Sequence, residues 1–209
     1  MSGAPRAAHM STIILRGGVE VENPLELALE FLAAYSSYES RDSSGPASFD
    51  ESDLRQANRG GARISAAEIA AILERRDEIE RALRAIRPAA SLVDTASAIP
   101  WLPLTRLFGA FSDIRGVGFS KVTKALHPKR PALIPMLDSI VQAYLARDDP
   151  ASGSSGTFGA RATALVRSYK VDLDRNRSAL REIERELASR DYRLTEVRIL
   201  DLLIWSVNA

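Results

Sequence analysis

The segment Ile114-Arg115-Gly116-Val117-Gly118 lies between two stretches of helical periodicity, and its glycines are spaced for binding an anion. Two glycines one residue apart permit a tight hairpin whose backbone N–H groups face outward at the start of the next helix. Unsatisfied amides and the helix dipole both favour a phosphate there. Val117, between the glycines, is the expected anchor into the core. Ser120, Lys121 and Lys124 follow on the second helix, where the two lysines, one turn apart, add charge toward the same phosphate backbone. Residues 114–137 contain no acid but carry Arg115, Lys121, Lys124, Lys129 and Arg130, five positive charges in 24 residues of a chain whose formal net charge is +1. A local basic patch on an otherwise balanced protein is the footprint expected of a phosphate-binding surface.

A second pair is Asp201 and Trp205, whose i, i+4 spacing puts a carboxylate and a flat π-face on one side of the last helix. The bland reading packs Trp205 in the core and pairs Asp201 with Arg198. Arg59 and Arg63 flank two glycines in ANRGGARI, placed for DNA, an unusual base or a surface acid. Trp101 and Phe111 read as core, and His127 next to Pro128 as a histidine near a phosphate or without such a role. There is no cysteine and only His9 and His127, which excludes disulfides, thiolate nucleophiles, cysteine-ligated clusters and multi-histidine metal sites. Cysteine-free chains suit a reducing compartment, so the expected location is the cytoplasm. No apolar run approaches the roughly 18 residues of a membrane span.

The elements that must position these groups are helical. Residues 11–22 alternate loosely and predict a short β-ribbon turning at Gly17-Gly18. Asn23-Pro24-Leu25-Glu26 opens a helix to about Tyr35, and SSYESRDSSGPAS is a polar loop. A short helix is expected over Phe49–Ala57. Ser65-Ala66-Ala67-Glu68 is a capping box opening one long helix to about Ile86, with Ile69, Ile72, Leu73, Ile79, Leu83 and Ile86 as its stripe. Further helices are expected at about 104–113, 119–126, from Asp138 to about 146, and at 158–169, 172–189 and 195–207. RDDPASGSSGT reads as a mobile loop. MSGAPRAAHM reads as a leader, with the protein proper starting at Met10. The expected fold is all-α, two helical lobes around a cleft, with a short N-terminal β element and residues 11–209 as one domain. The helix-hairpin-helix occupies about 104–126.

IRGVGFSKVTKALHPKRPALIPMLDSIV resembles the hallmark of the helix-hairpin-helix Gly/Pro-Asp DNA glycosylase superfamily. In that pattern a GVG hairpin and helix are followed by a proline-containing link that delivers an aspartate to the next helix. The matching residues are Gly116, Gly118, Pro135 and Asp138. The resemblance implies that Asp138 is the essential carboxylate, acting on the N-glycosidic bond of a nucleotide flipped out of the duplex. It also implies hydrolysis without a metal or organic cofactor. Cleavage of that bond builds positive charge on the sugar, which a carboxylate stabilises while it activates water or an amine. The bland reading of Asp138 is a helix cap.

Bifunctional members attack the sugar with a lysine just after the hairpin; the usual position holds Ser120 here, which resembles the monofunctional members that use water, while Lys121 next to it is the candidate catalytic nucleophile or a phosphate contact, so strand cleavage stays open. The archaeal 8-oxoguanine glycosylases similarly use an aspartate and a tryptophan from a late helix, which implies Asp201 and Trp205, with Arg59, at the base pocket. The expected partner is double-stranded DNA containing a modified base, bound by a monomer with no membrane association. The base is an oxidised purine or a bulky phage-type base, the latter implying DNA repair chemistry turned to antiviral defence. The rivals are a non-catalytic helix-hairpin-helix DNA-binding module and a protein-interaction module.

Overall fold

A computed structural model describes residues 12–35, 44–148 and 155–209. The leader reading of residues 1–10, most of the polar loop after Tyr35 and the core of the 147–157 loop lie outside the described residues. Among the described residues the chain forms ten α-helices and one two-stranded sheet, an all-α fold with a short N-terminal β element. None of these helices is long and apolar enough to cross a membrane.

Strands β1 (Ile13–Ile14) and β2 (Glu20–Val21) pair antiparallel, Ile13 opposite Val21. Gly17 and Gly18, with φ of 73° and 72°, make the turn between them. Helix α1 is Pro24–Tyr35, as expected from its proline start. Helix α2 is Glu51–Arg59, capped by a reciprocal box between Asp50 and Asp53.

The expected long helix from Ser65 is two helices. The Ser65–Glu68 box opens α3 (Ala66–Leu73), and α4 (Arg76–Arg84) follows after a break at Glu74-Arg75. That break carries neither Gly nor Pro, so tertiary packing sets it: Glu80 of α4 is held as an acceptor for the Phe49 amide, 3.1 Å away. Helix α5 is Trp101–Gly109, starting three residues earlier than expected because Pro103 fits the first turn of a helix. Helix α6 is Phe119–Leu126 and α7 is Ser139–Leu145.

Helices α8 (Phe158–Arg175) and α9 (Arg177–Ser189) meet at Asn176, later than the periodicity placed the junction. The Asn176 side chain accepts from the Ile14 amide at 2.7 Å and donates to the Ile14 carbonyl at 2.9 Å. A partner 162 residues away thus decides where the helix ends. Helix α10 is Glu196–Asn208. Gly159 lets α8 press against α5, since a Cβ there would run into the Thr105 carbonyl. The apolar side chains form one continuous core that includes Phe49, Phe108 and Phe111, together with nearly every inward position of α10.

Candidate active site

The Ile114–Gly118 turn has the geometry its glycines required. Gly116 sits at φ 84° and the Val117 amide donates to the Ile114 carbonyl at 3.1 Å, closing the turn. Val117 is buried as the anchor, while Gly116 and Gly118 are exposed. Gly118, extended, is the N-cap residue of α6, and no side chain caps that helix. Its first amides are therefore oriented as an anion site requires.

The basic patch is much smaller than the sequence suggests. Arg115 is exposed beside the turn, and Ser120 is half-buried on the first turn of α6. Lys129, read as a phosphate contact, is instead buried, its Nζ 2.7 Å from Asp53 Oδ1 and donating to the Ser44 carbonyl at 2.8 Å. Arg130, read the same way, is 1% exposed and donates to the carbonyls of Leu83, Ile86 and Pro46. Burial of a charge requires partners of this kind, and both side chains are committed to the interior. Lys121 is ion-paired to Glu68 at 2.6 Å, and the same carboxylate packs against Gly116 where a Cβ would stand.

Helix α6 carries Lys124 three residues further on, and there the chain opens into a cavity of about 430 Å³. Its walls are Phe31 of α1, the Arg59–Gly61 turn with Arg63, Lys124, Met136, Asp138 and Val141, and Arg198, Asp201 and Trp205 of α10. The volume lies within the range of roughly 300–1,000 Å³ typical of small-molecule sites. Asp138, Asp201, Trp205, Arg59 and Lys124, five site residues chosen from sequence, thus line one cavity; Lys121 does not.

Asp138 caps α7. Its Oδ1 accepts from the amides of Ile140 and Val141 at 3.1 and 3.0 Å, while Oδ2 takes part in neither bond. The carboxyl is half-buried. Lys124 donates to the Gly60 carbonyl at 3.0 Å, so it braces the arginine turn from below. Burial pushes the Lys124 ammonium below its ordinary value, against the Asp138 carboxylate, which favours the charged form; the Arg198 and Arg63 charges push it further down. Arg63 holds a left-handed φ of 56°, uncommon for a side-chain-bearing residue and the kind of strain found at sites.

Also lining the cavity, Trp205 and Phe31 meet edge to face, centroids 5.3 Å apart at 80°, and the Arg198 guanidinium lies 5.5 Å from the Phe31 ring centre. Trp205 is half-buried with its ring on the cavity side of α10. Asp201 is 3% exposed and its Oδ2 accepts from the Met136 amide at 3.0 Å. Burial pushes its acid up to about 7, against the Arg198 charge and the Met136 amide, which favour ionisation.

Phe31 was missed by sequence reasoning, and no local signal marks it: it sits on α1, over a hundred residues from Asp138. Arg198 enters the sequence reading only as a partner of Asp201. Of the other residues considered, Phe111 is core, and Trp101 is half-buried with the Arg167 guanidinium 4.0 Å above its ring. His127 is buried with Nδ1 2.6 Å from the Ile134 carbonyl, so it supports the link to Asp138 and touches no surface. No group of three or more His, Cys, Asp or Glu fit to hold a metal ion occurs among the described residues.

The profile of a family of unknown function, DUF6308, matches residues 29–208. The chain belongs to this family. The matched span of DUF6308 contains every residue that lines the cavity and the whole hairpin segment. No curated protein and no solved structure matches the chain.

Proposed function

We propose that this DUF6308 protein is a DNA glycosylase that excises a modified base from duplex DNA. The observation that carries the reading is the meeting, in one cavity, of the Asp138 carboxyl with a half-buried tryptophan on a wall ringed by cations. Helix α6 runs directly from the Gly116–Gly118 hairpin to that cavity, and its rise from Gly118 to Lys124 is roughly 9 Å at 1.5 Å per residue. A strand held by the hairpin amides therefore has its neighbouring nucleotide within reach of the pocket.

In this mechanism the hairpin amides and Arg115 hold the backbone, and the base swings out of the stack onto the Trp205 face. The C1′–N bond breaks with its electron pair leaving on the base, positive charge grows on the sugar, and the proton released when water adds at C1′ ends on the departed base. Asp138 stabilises that charge and orients a water to add at C1′. Its capping bonds fix the carboxyl without engaging Oδ2. Strand cleavage after excision requires an amine in the same cavity; that amine is Lys124, because Lys121 faces Glu68 outside it.

The cap itself favours a second reading, a non-catalytic duplex-binding module, since two amide bonds are sufficient reason for an aspartate at the start of α7. One experiment separates the two. The protein and Asp138→Asn are incubated with duplexes carrying oxidised, alkylated, deaminated and bulky phage-type bases, and free base is detected by mass spectrometry. Asn keeps the cap and loses the charge. Release by the wild type, reduced on the order of 10³-fold or more in the variant, is the expected result. Salt-sensitive duplex binding by both proteins with no base released is the result for the binding module.

A further inference from the structure

Arg59, Arg63, Lys124 and Arg198 line the cavity together with Asp138 and Asp201, four cations against two carboxylates among the described residues. The whole chain carries a formal net charge of only +1, so positive charge is gathered here rather than spread. A cleft lined by an excess of one sign concentrates ligands of the other.

Two of the four cations sit on a turn that is braced from several sides. Arg63 has its left-handed φ of 56° where Asn58 grips the next residue: the Asn58 side chain accepts from the Ile64 amide at 2.6 Å and donates to the Ile64 carbonyl at 2.9 Å. The Ala62 amide donates to the Ala57 carbonyl at 3.0 Å, and Lys124 donates to the Gly60 carbonyl at 3.0 Å. Arg59 Nη1 donates to Oε1 of the buried Gln56 at 3.1 Å. A strained backbone persists only where its surroundings impose it, and such residues cluster where a ligand is clamped. The last cation stands at the aromatic end. Arg198 is 6% exposed and lies 5.5 Å from the centre of the Phe31 ring, which meets Trp205. A group must enter the cavity to come near it.

We propose that the substrate base carries an acidic substituent, a carboxylate or phosphate-type oxyanion attached to the ring, which the Arg59–Arg63 turn receives; this rests on the glycosylase reading above. The planar guanidinium fork matches the two oxygens of such a group. A volume of about 430 Å³ lies in the range that buries drug-sized molecules, so a base and its substituent fit together. The phosphates of the strand have donors of their own in the hairpin amides and exposed Arg115, none of which lines the cavity. A phosphate flanking the everted nucleotide is the competing source of the same chemistry.

The test uses the full chain and duplexes with a cleavage-resistant 2′-fluoroarabino target nucleotide opposite an abasic analogue. The target base is cytosine substituted at C5 or 7-deazaguanine substituted at C7. Each is made as the carboxylate and as the carboxamide, which match in size and differ by one charge. The wild type is expected to bind the carboxylate about tenfold tighter for at least one of the two bases, the worth of one charge-assisted hydrogen bond. Arg63→Gly, which suits the left-handed φ, combined with Arg59→Gln is expected to erase that preference. Neutral methylphosphonates on both sides of the target are expected to leave it unchanged.

Absence of the preference for both bases overturns the inference and leaves the glycosylase reading standing. So does a preference that survives in the double variant. A preference that vanishes with the methylphosphonates also overturns it, and gives the arginines to the backbone. Binding of all four duplexes no tighter than fully paired unmodified DNA removes the base-pocket reading and this inference together.

Discussion

Two regions of the molecule bury charge, and they treat it in opposite ways. Where the β-ribbon meets α8, Arg16 donates through Nε to Asp172 at 2.7 Å and through Nη2 to the Ser168 carbonyl at 2.9 Å. Its amide donates to the Tyr144 hydroxyl at 3.1 Å, and Arg175 reaches the other Asp172 oxygen at 2.9 Å. Both Asp172 oxygens are engaged, and neither Arg16 nor Asp172 is more than 4% exposed. In the cavity, by contrast, burial pushes the Asp201 acid up to about 7 and the Lys124 ammonium down, and Arg63 is held at a left-handed φ. A satisfied ion-pair network fixes a fold, whereas desolvated and strained charges around a cavity mark a candidate ligand site.

Substitutions sharpen that contrast. Arg16→Ala strands the Asp172 charge inside the protein and is expected to cost about 3–5 kcal/mol, read as a large fall in the urea midpoint. The cavity has no equivalent, and Asp138→Asn is expected to leave that midpoint nearly unchanged. A pH effect of about 3 kcal/mol comes next, from His127. Its burial holds the imidazole at about 4, below its ordinary 6.5, against the Ile134 carbonyl, which favours the cation. A base with a depressed value stabilises the fold fully above its unfolded value. That contribution is therefore lost as pH falls from about 6.5 through 4, about 1.4 kcal/mol per unit. A urea midpoint that is flat between pH 7 and 4, or that falls equally in His127→Gln, breaks this assignment.

Smaller effects separate the cavity from its surroundings. Trp205→Ala is expected to weaken binding of a substrate duplex by about 1–3 kcal/mol through lost stacking. Its effect should be confined to duplexes that carry an extrudable base, which competition against unmodified duplex measures. Lys121→Ala removes a half-buried pair with Glu68 and should cost under about 1 kcal/mol of stability. Base release is expected to stay within about twofold of wild type. A complete loss of release in Lys121→Ala with Lys124 intact would reverse the roles given to these lysines.

What was legible in the sequence was governed by local rules. The Ser65–Glu68 box, the Gly116 turn, the Asp138 cap and the Asp201–Trp205 register depend on neighbours within four residues, and each is present. What was not legible depended on distant partners. Lys129 and Arg130 look like surface charge until Asp53 and the carbonyls of Leu83 and Ile86 are brought to them. The α8–α9 junction follows from Asn176 finding Ile14, and Phe31 joins the cavity only because α1 packs against α10. The helical class came through because periodicity is itself local.

The link from His127 to Asp138 has one more consequence. It is held at the cavity by main-chain groups: the Met136 amide on Asp201, the Leu137 amide on Thr123 Oγ1 at 2.9 Å, and the Ile134 carbonyl on His127. Its placement therefore depends little on which side chains its middle residues carry. Phe31, Arg59 and Arg63, also lining the cavity, belong to α1, the end of α2 and the turn after it, which supply none of these bonds. Evolution is free to redraw those walls, and with them the molecules admitted, while the reactive carboxyl stays where it is.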